Sequence, residues 1–310
     1  MARVREIRRR IRSVKSIAQV TRAMQMVATS KMRRAQEQAL ATRPYAAKSW
    51  QILTHLASQS INVEILHPLL ARRAPVRHTG ILLITSDKGL CGAYNTSVLR
   101  TAVHFIAGLG HPVKLITVGR RGRDFMLRYG WHIVADFSET LPPRPTSLDV
   151  ASIARAVIDD FQSGQYDEVY LIYTEFLNTL RQRPIVRPLL PIRPFELKVD
   201  SVMAKYLSPE VARITGEYIY EPDVTAILGQ MLPRFTELQI YQAVLEAFAS
   251  EHSARMVAMR NATDNANAFL ERLTLSYNRA RQEAITKEML DIAGGAEALR
   301  KSIQSVTAGR

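Results

Sequence analysis

RFTELQIYQAVLEAFASEHSARMVAMRNATDNANAFLERLTLSYNRARQEAITKEMLDIA, residues 234–293, runs for sixty positions without a glycine or a proline. Those two residues break helices most strongly, costing about 1 and about 3 kcal/mol in a helix interior. The run therefore predicts one helix, and at about 1.5 Å per residue it would span roughly 90 Å. A compact domain of this chain length is much shorter than that, so the helix must project. The other end of the chain reads the same way: no proline precedes Pro44 and no glycine precedes Gly80.

Apolar spacing says how such helices are held. Ile7, Ile11, Val14, Ala18, Thr21, Gln25, Ala28, Met32 and Ala35 follow alternating steps of four and three. Leu238, Tyr241, Leu245, Phe248, His252, Arg255, Met259, Ala262, Ala266, Phe269, Leu273, Ser276 and Ala280 do likewise. Both are heptad stripes, sustained well past three repeats. Polar interruptions and small residues make an imperfect seam, which suits two unlike helices of one chain better than a tight homodimer zipper. Paired antiparallel, the two ends would form one long two-stranded rod.

The middle, about 76–200, changes period. Short apolar runs, GILLITS (Gly80–Ser86), PVKLITVG (Pro112–Gly119) and EVYLIYTEF (Glu168–Phe176), predict buried strands. Between them lie helical stretches at TSVLRTAVHFIAGLG, at GRDFMLRYG and at SLDVASIARAVIDDFQSG, the last with Ser147 as its expected N-cap. Alternation of strand and helix predicts an α/β sheet with helical crossovers. RPLLPIRP, punctuated by prolines, reads as an irregular edge leading out.

Composition bounds the partners. Of a formal net charge of +14, most sits in residues 1–34, where eleven Arg or Lys oppose one acid, Glu6. Residues 234–293 are nearly balanced. Such a basic block points to an anionic partner: nucleic acid, lipid or an acidic protein surface. A basic coiled-coil nucleic-acid binder is thus an alternative, although residues 1–34 carry no interleaved aromatic. The Arg-rich start also has the look of a transit peptide. No apolar run approaches the ~20 residues that cross a bilayer, and one cysteine, Cys91, excludes a disulfide framework or a zinc cluster within the chain.

Catalytic motifs are missing. GxxxxGK[ST], GxGxxG, GxSxG and HExxH do not occur. TSDKGLCGAYNTS, Thr85–Ser97, stands where an α/β sheet would bind phosphate, and Asp87, Lys88 and Cys91 could serve as catalysts there. The plainer reading is a tight strand-to-helix turn, with Gly89 and Gly92 at positive φ and Asn95 or Thr96 capping the helix. No catalytic residue, cofactor site or metal site is expected.

TRAMQMVATSKMRRAQ (Thr21–Gln36) resembles the N-terminal signature of F-type ATP synthase gamma subunits, and SDKGLCGAYN (Ser86–Asn95) resembles that family's central turn. YEPD (Tyr220–Asp223) stands before the last helix, as in the family. EHSARMVAMRNATDNA and LTLSYNRARQEAITKEMLDIAGGAEAL resemble its C-terminal signature. The resemblance covers nearly the whole chain, with 121–208 matching in pattern more than in residues. It starts at about Arg3, so the basic N-terminus is expected to belong to the mature protein. It implies α/β plus a long antiparallel coiled coil: N- and C-terminal helices paired around a central Rossmann-like α/β domain. The expected segments are 1–60, the N-terminal helix; 75–210, the α/β domain; and 211–310, the C-terminal helix that pairs with 1–60.

The same resemblance implies a central-stalk rotor that does no chemistry of its own. Rotation of a membrane c ring would drive the catalytic beta subunits through their conformations, coupling ATP synthesis to proton transport. Implied partners are three alpha and three beta subunits, an epsilon subunit and the c ring, with one copy of this chain per complex. No nucleic acid is implied. The chain would be peripheral to the membrane, on the cytoplasmic side of a bacterial plasma membrane. Met24, Arg255, Arg281, Gln282 and Thr286 match positions that contact beta subunits, and Tyr218, Tyr220 and Glu221 match the foot on the c ring and epsilon. Lys31, Arg33 and Arg34 are expected along an acid-lined sleeve, and Leu299 and Ile303 in an apolar bearing.

Overall fold

The computed structural model describes residues 2–59, 67–193 and 223–308. Helix α1 spans Ala2–Gln59. Then follow β1 (Thr79–Ile84), α2 (Tyr94–Ala107), β2 (Val113–Val118), α3 (Arg120–Arg128), β3 (Ile133–Asp136), α4 (Ser147–Gln162), β4 (Glu168–Phe176), β5 (Gln182–Leu190) and α5 (Val224–Ala308). Both long helices outrun their breaker-free stretches. Helix α1 passes through Pro44, and α5 through Pro233 and Gly294. Core packing next to the prolines, at Ala46, Leu232 and Phe235, all at most 1% exposed, offsets the lost helix hydrogen bonds.

The chain forms two compact units: residues 1–25 with 259–310, and residues 26–258. In the second, the sheet order is β3-β2-β1-β4-β5. β1, β2, β3 and β4 run parallel and β5 is antiparallel to β4. Every residue of β1 is buried, because helices cover both faces. Ile81 and Leu83 point to the side packed by Val98, Ala102, Ile106 and Met126 of α2 and α3. Leu82 and Ile84 point to the other side, against Ile153, Val157 and Phe161 of α4 and Phe235, Ile240 and Val244 of α5. Ala46 and Leu53 of α1 share that core. The inner stretches of both long helices thus serve as a layer of the α/β sandwich, which is why they group with the sheet.

Two strands escape the sequence reading. β3 is only four residues with alternate burial, too short to register as a period. β5 takes up the first four residues, 187–190, of the stretch expected to be irregular, and Pro184 and Pro188 pair opposite Thr174 and Tyr170. Prolines are tolerated there because β5 is a sheet edge. Helix α4 is capped one residue earlier than expected. The Asp149 carboxylate accepts from the Thr146 backbone N–H and hydroxyl, both at 2.7 Å, so Thr146, not Ser147, is the N-cap.

In the unit formed by the chain ends, α1 and α5 pack antiparallel. The Arg8 guanidinium lies 5.8 Å from the centre of the Tyr277 ring, and the Thr21 and Thr263 hydroxyls meet at 2.7 Å. The expected α1 stripe is the seam, with Ile7, Ile11, Val14 and Thr21 half-buried and Ala18 buried. On α5 half of the stripe moves by one residue. Met259, Ala266, Leu273 and Ala280 are buried, but between them come Thr263, Leu270 and Tyr277 rather than Ala262, Phe269 and Ser276. Phe269 is 47% exposed. Steps of three-then-four and four-then-three fit a helix equally, and only the partner's position chooses between them.

Candidate functional site

The turn that could have held phosphate is occupied by the chain itself. Helix α3 begins at Gly119 and Arg120 with no capping side chain of its own, so its first amides need outside acceptors. The end of β1 supplies them. The Asp87 carboxylate accepts from Arg120 N at 2.9 Å, Ser86 O from Arg121 N at 3.1 Å, and the Thr85 hydroxyl oxygen from Gly122 N at 2.8 Å. Asp87 also takes the Glu139 amide at 3.1 Å. A carboxylate at a helix N-terminus fills the place where a phosphate would bind. Asp87 therefore closes the anion site rather than catalysing in it. A helix start lacking Ser, Thr, Asp or Asn was the sequence signal for a cap from elsewhere.

The rest of the turn is equally committed. Leu90 and Gly92 take positive φ, 63° and 58°, whereas Gly89 does not. Asn95 does not cap α2; its carboxamide oxygen accepts from Ser86 N at 3.1 Å and its amide donates to Ser86 Oγ at 2.7 Å. Burial pushes the Cys91 thiol up, so it is protonated and a poor nucleophile.

Helix α5 clamps this turn from the other side. Arg255 donates to the carbonyls of Lys88 (3.3 Å) and Gly89 (3.2 Å), pairs with Glu251 at 2.7 Å, and meets His252 Nδ1 at 3.1 Å. Its side chain is 12% exposed. Burial lowers the His252 imidazole to about 3, and the Arg255 and Lys31 cations add to the effect. Nδ1 is therefore the acceptor of the Arg255 bond. Burial also pushes the Glu251 carboxyl up, against the pull of Arg255. A cleft of about 340 Å³ opens beside these groups, lined among others by Lys31, Lys88, Phe137, Leu141 and Phe248. Of its charged lining, Asp87, Glu139, Glu251 and Arg255 are already bonded within the fold.

Within the unit formed by the chain ends, the expected site residues stand at two levels. Arg281, Gln282 and Thr286 lie together on exposed positions of α5. Met24 is half-buried on α1, near the Thr21–Thr263 contact. Thr263 and Arg281 are eighteen residues apart, about 27 Å along the helix, so Met24 and Arg281 mark different levels of the same helix pair. Arg255 belongs to the other compact unit and bonds inward. Tyr218, Tyr220 and Glu221 lie outside the described residues, as do the side chains of Leu299 and Ile303. Past Ala280, α5 exposes Ile285 (47%), Met289 (65%), Leu290 (67%) and Ile292 (68%). Among the described residues no helix is long and apolar enough to cross a membrane, and no group of three His, Cys, Asp or Glu could hold a metal.

Known proteins share this arrangement. The family described as ATP synthase matches residues 3–299. The ATP synthase gamma chain of Dehalococcoides mccartyi is 48% identical over 299 residues, which is 96% of this chain and 100% of the relative. That of Chloroflexus aurantiacus is 48% identical, covering 95% and 98%. Among solved structures, the central stalk/c-ring of Tetrahymena thermophila mitochondrial ATP synthase is similar with a TM-score of 0.57 at 26% identity, over 78% of this chain and 99% of that one. A chain of the Euglena gracilis mitochondrial ATP synthase, in a structure of its OSCP, F1 and c-ring, shares the fold with a TM-score of 0.61 at 19% identity, over 96% and 95%. On a match that spans nearly the whole sequence, the chain belongs to the ATP synthase gamma chain family.

Proposed function

We propose that the chain is the rotor of an F-type ATP synthase and acts by contact alone. It is a central-stalk subunit and part of the complex rather than a catalytic subunit. One observation carries the mechanical reading. The helix pair formed by the chain ends leaves Ile17, Val20, Leu275, Ile285, Met289 and Ile292 exposed, apolar side chains available for contact with a partner. A surrounding ring of alpha and beta subunits would cover them. The pair is lopsided, since α1 carries the basic block and α5 is nearly neutral. A ring subunit therefore meets a different face at each angle, and a rotor biases a site only through such differential contact.

In this reading three alpha and three beta subunits surround one copy of the chain, and the c ring and an epsilon subunit hold its other end. Proton flow turns the c ring, and the rotor drives each beta subunit through binding, synthesis and release. Met24, Arg281, Gln282 and Thr286 contact beta subunits directly. Arg281 and Gln282 suit that work as exposed donors to carboxylates. Arg255 contributes there by holding the 86–92 turn in place. Tyr218, Tyr220 and Glu221 form the foot on the c ring and epsilon. The chain sits peripherally on the cytoplasmic side of a bacterial plasma membrane. The nucleic-acid alternative finds no support.

Co-expression with alpha and beta subunits tests the reading. The expected result is a stable complex holding one copy of the chain, with ATPase activity that depends on its presence. A chain that stays out of the complex, or that adds nothing to its activity, overturns it.

A further inference from the structure

The cleft of about 340 Å³ beside the 86–92 turn has a chemistry that the rotor reading does not use. It opens at the C-terminal ends of the parallel strands β1 and β2, where α/β sheets leave room for ligands, and its volume suits a small molecule. Its walls come from Lys31 of α1, the turn after β1, the loop after β3 and α5 between Phe248 and Arg255. All of these belong to the unit formed by residues 26–258.

One wall is apolar, made by Phe137, Leu141, Pro142 and Phe248. The other is polar, and its acceptors are engaged. Asp87 accepts from the Arg120 and Glu139 amides, Glu139 takes Arg120 at 3.3 Å, and Glu251 takes Arg255 at 2.7 Å. The Thr85 hydroxyl donates to Gly119 O at 3.0 Å and accepts from Gly122 N at 2.8 Å. The donors are different. Among the described residues neither the Lys31 nor the Lys88 ammonium has an ion-pair or hydrogen-bond partner. Lys31 is half-buried, and its charge reaches both Glu251 and His252. His252 is 8% exposed. Its Nδ1 accepts from Arg255, so Nε2 carries the ring hydrogen, with no acceptor among the described residues. Buried donors without acceptors are costly, and two unpaired cations beside one attract an anion.

We propose that the cleft binds a small aromatic carboxylate. The carboxylate lies between the Lys31 and Lys88 ammonium groups and accepts from His252 Nε2, and the ring lies against Phe137, Leu141 and Phe248. Inorganic phosphate would leave the apolar wall unused, and a neutral aromatic would leave the two cations unpaired. The bound anion ties α1, the 86–92 turn and α5 together. The site stands independently of the rotor reading.

Calorimetric titration of the full chain with phenylacetate tests this, with its neutral isostere phenylacetamide and inorganic phosphate as comparisons. The expected result is saturable binding of phenylacetate, about tenfold or more tighter than either comparison. No binding of phenylacetate overturns the proposal. So does equal binding of the amide, which would make the cleft an apolar crevice only, or of phosphate, which would make it an ion site only. A chain of net charge +14 also gathers anions without a site. A Lys31→Gln/Lys88→Gln variant is therefore compared with Arg100→Gln/Arg128→Gln, which removes the same charge from exposed positions outside the cleft. The lysine pair should weaken binding about tenfold and the arginine pair less than about twofold; equal losses would overturn the proposal. Leu141→Trp fills the cleft with both lysines in place and should abolish binding, whereas unchanged affinity would put the anion elsewhere.

Discussion

At Gly119 a single added methyl group would stand 2.1 Å from the Thr85 carbonyl oxygen, on a backbone at φ 101°. Neither the contact nor the conformation suits an L side chain. Gly119→Ala should destabilise the chain by about 3 kcal/mol or more, read as the shift in its urea unfolding midpoint; a loss below about 1 kcal/mol would show that the β2–α3 turn can yield. His252 makes a pH prediction at the same scale. Its imidazole falls from about 6.5 unfolded to about 3 folded, so its stabilisation is complete above about 6.5 and is lost as pH falls toward 3. Between pH 7 and pH 5 this amounts to about 2 kcal/mol. His252→Gln keeps an acceptor for Arg255 and removes the titration, so its stability should vary less over that range by about this amount. Equal pH profiles would contradict the buried neutral form. Glu251 works in the opposite sense. Its raised carboxyl stabilises below the usual carboxylate range and loses that contribution as pH rises, which is why the difference between variant and parent is the quantity to measure.

At the scale of elements, the helix pair offers a direct test of its seam. Leu273 is 9% exposed and Phe269 is 47% exposed. Leu273→Ala should therefore cost about 2 kcal/mol or more, while Phe269→Ala, the larger truncation by volume, should cost less than about 1 kcal/mol. Thermal unfolding followed by helical circular dichroism ranks the two, and the reverse order would restore the stripe read from spacing alone. In α4, Asp149→Ala removes an acceptor that serves both the amide and the hydroxyl of Thr146. The variant should unfold at a lower temperature than the parent, measured in the same way, and an unchanged midpoint would show that the cap adds nothing.

For the whole molecule, function depends on surfaces that the folded chain leaves uncovered. Arg281 and Gln282 are exposed on α5. Replacing both with alanine should leave the complex with alpha and beta subunits intact and lower its turnover about tenfold, as for one charge-assisted hydrogen bond of about 1.5 kcal/mol lost in the limiting step. Full turnover in the double variant would remove the two residues from torque transmission. Failure to assemble would make their role structural.

The sequence by itself determined the helices at both ends, the three long buried strands and the absence of catalytic motifs. Each of these is written in local terms, by breakers, by period and by residue type. It also carried the family resemblance, through motifs in fixed order. What only the tertiary structure decided depends on which surfaces meet. Steps of three and four cannot say whether Phe269 or Leu270 faces α1, because the partner helix makes that choice. Prolines do not forbid β5, because an edge strand has amides to spare. In the sequence the Asp87 carboxylate reads as a candidate catalyst and the Arg255 guanidinium as a contact for a beta subunit. In the fold the first caps a helix thirty-three residues away and the second binds carbonyls more than 160 positions distant, partners that no local pattern encodes.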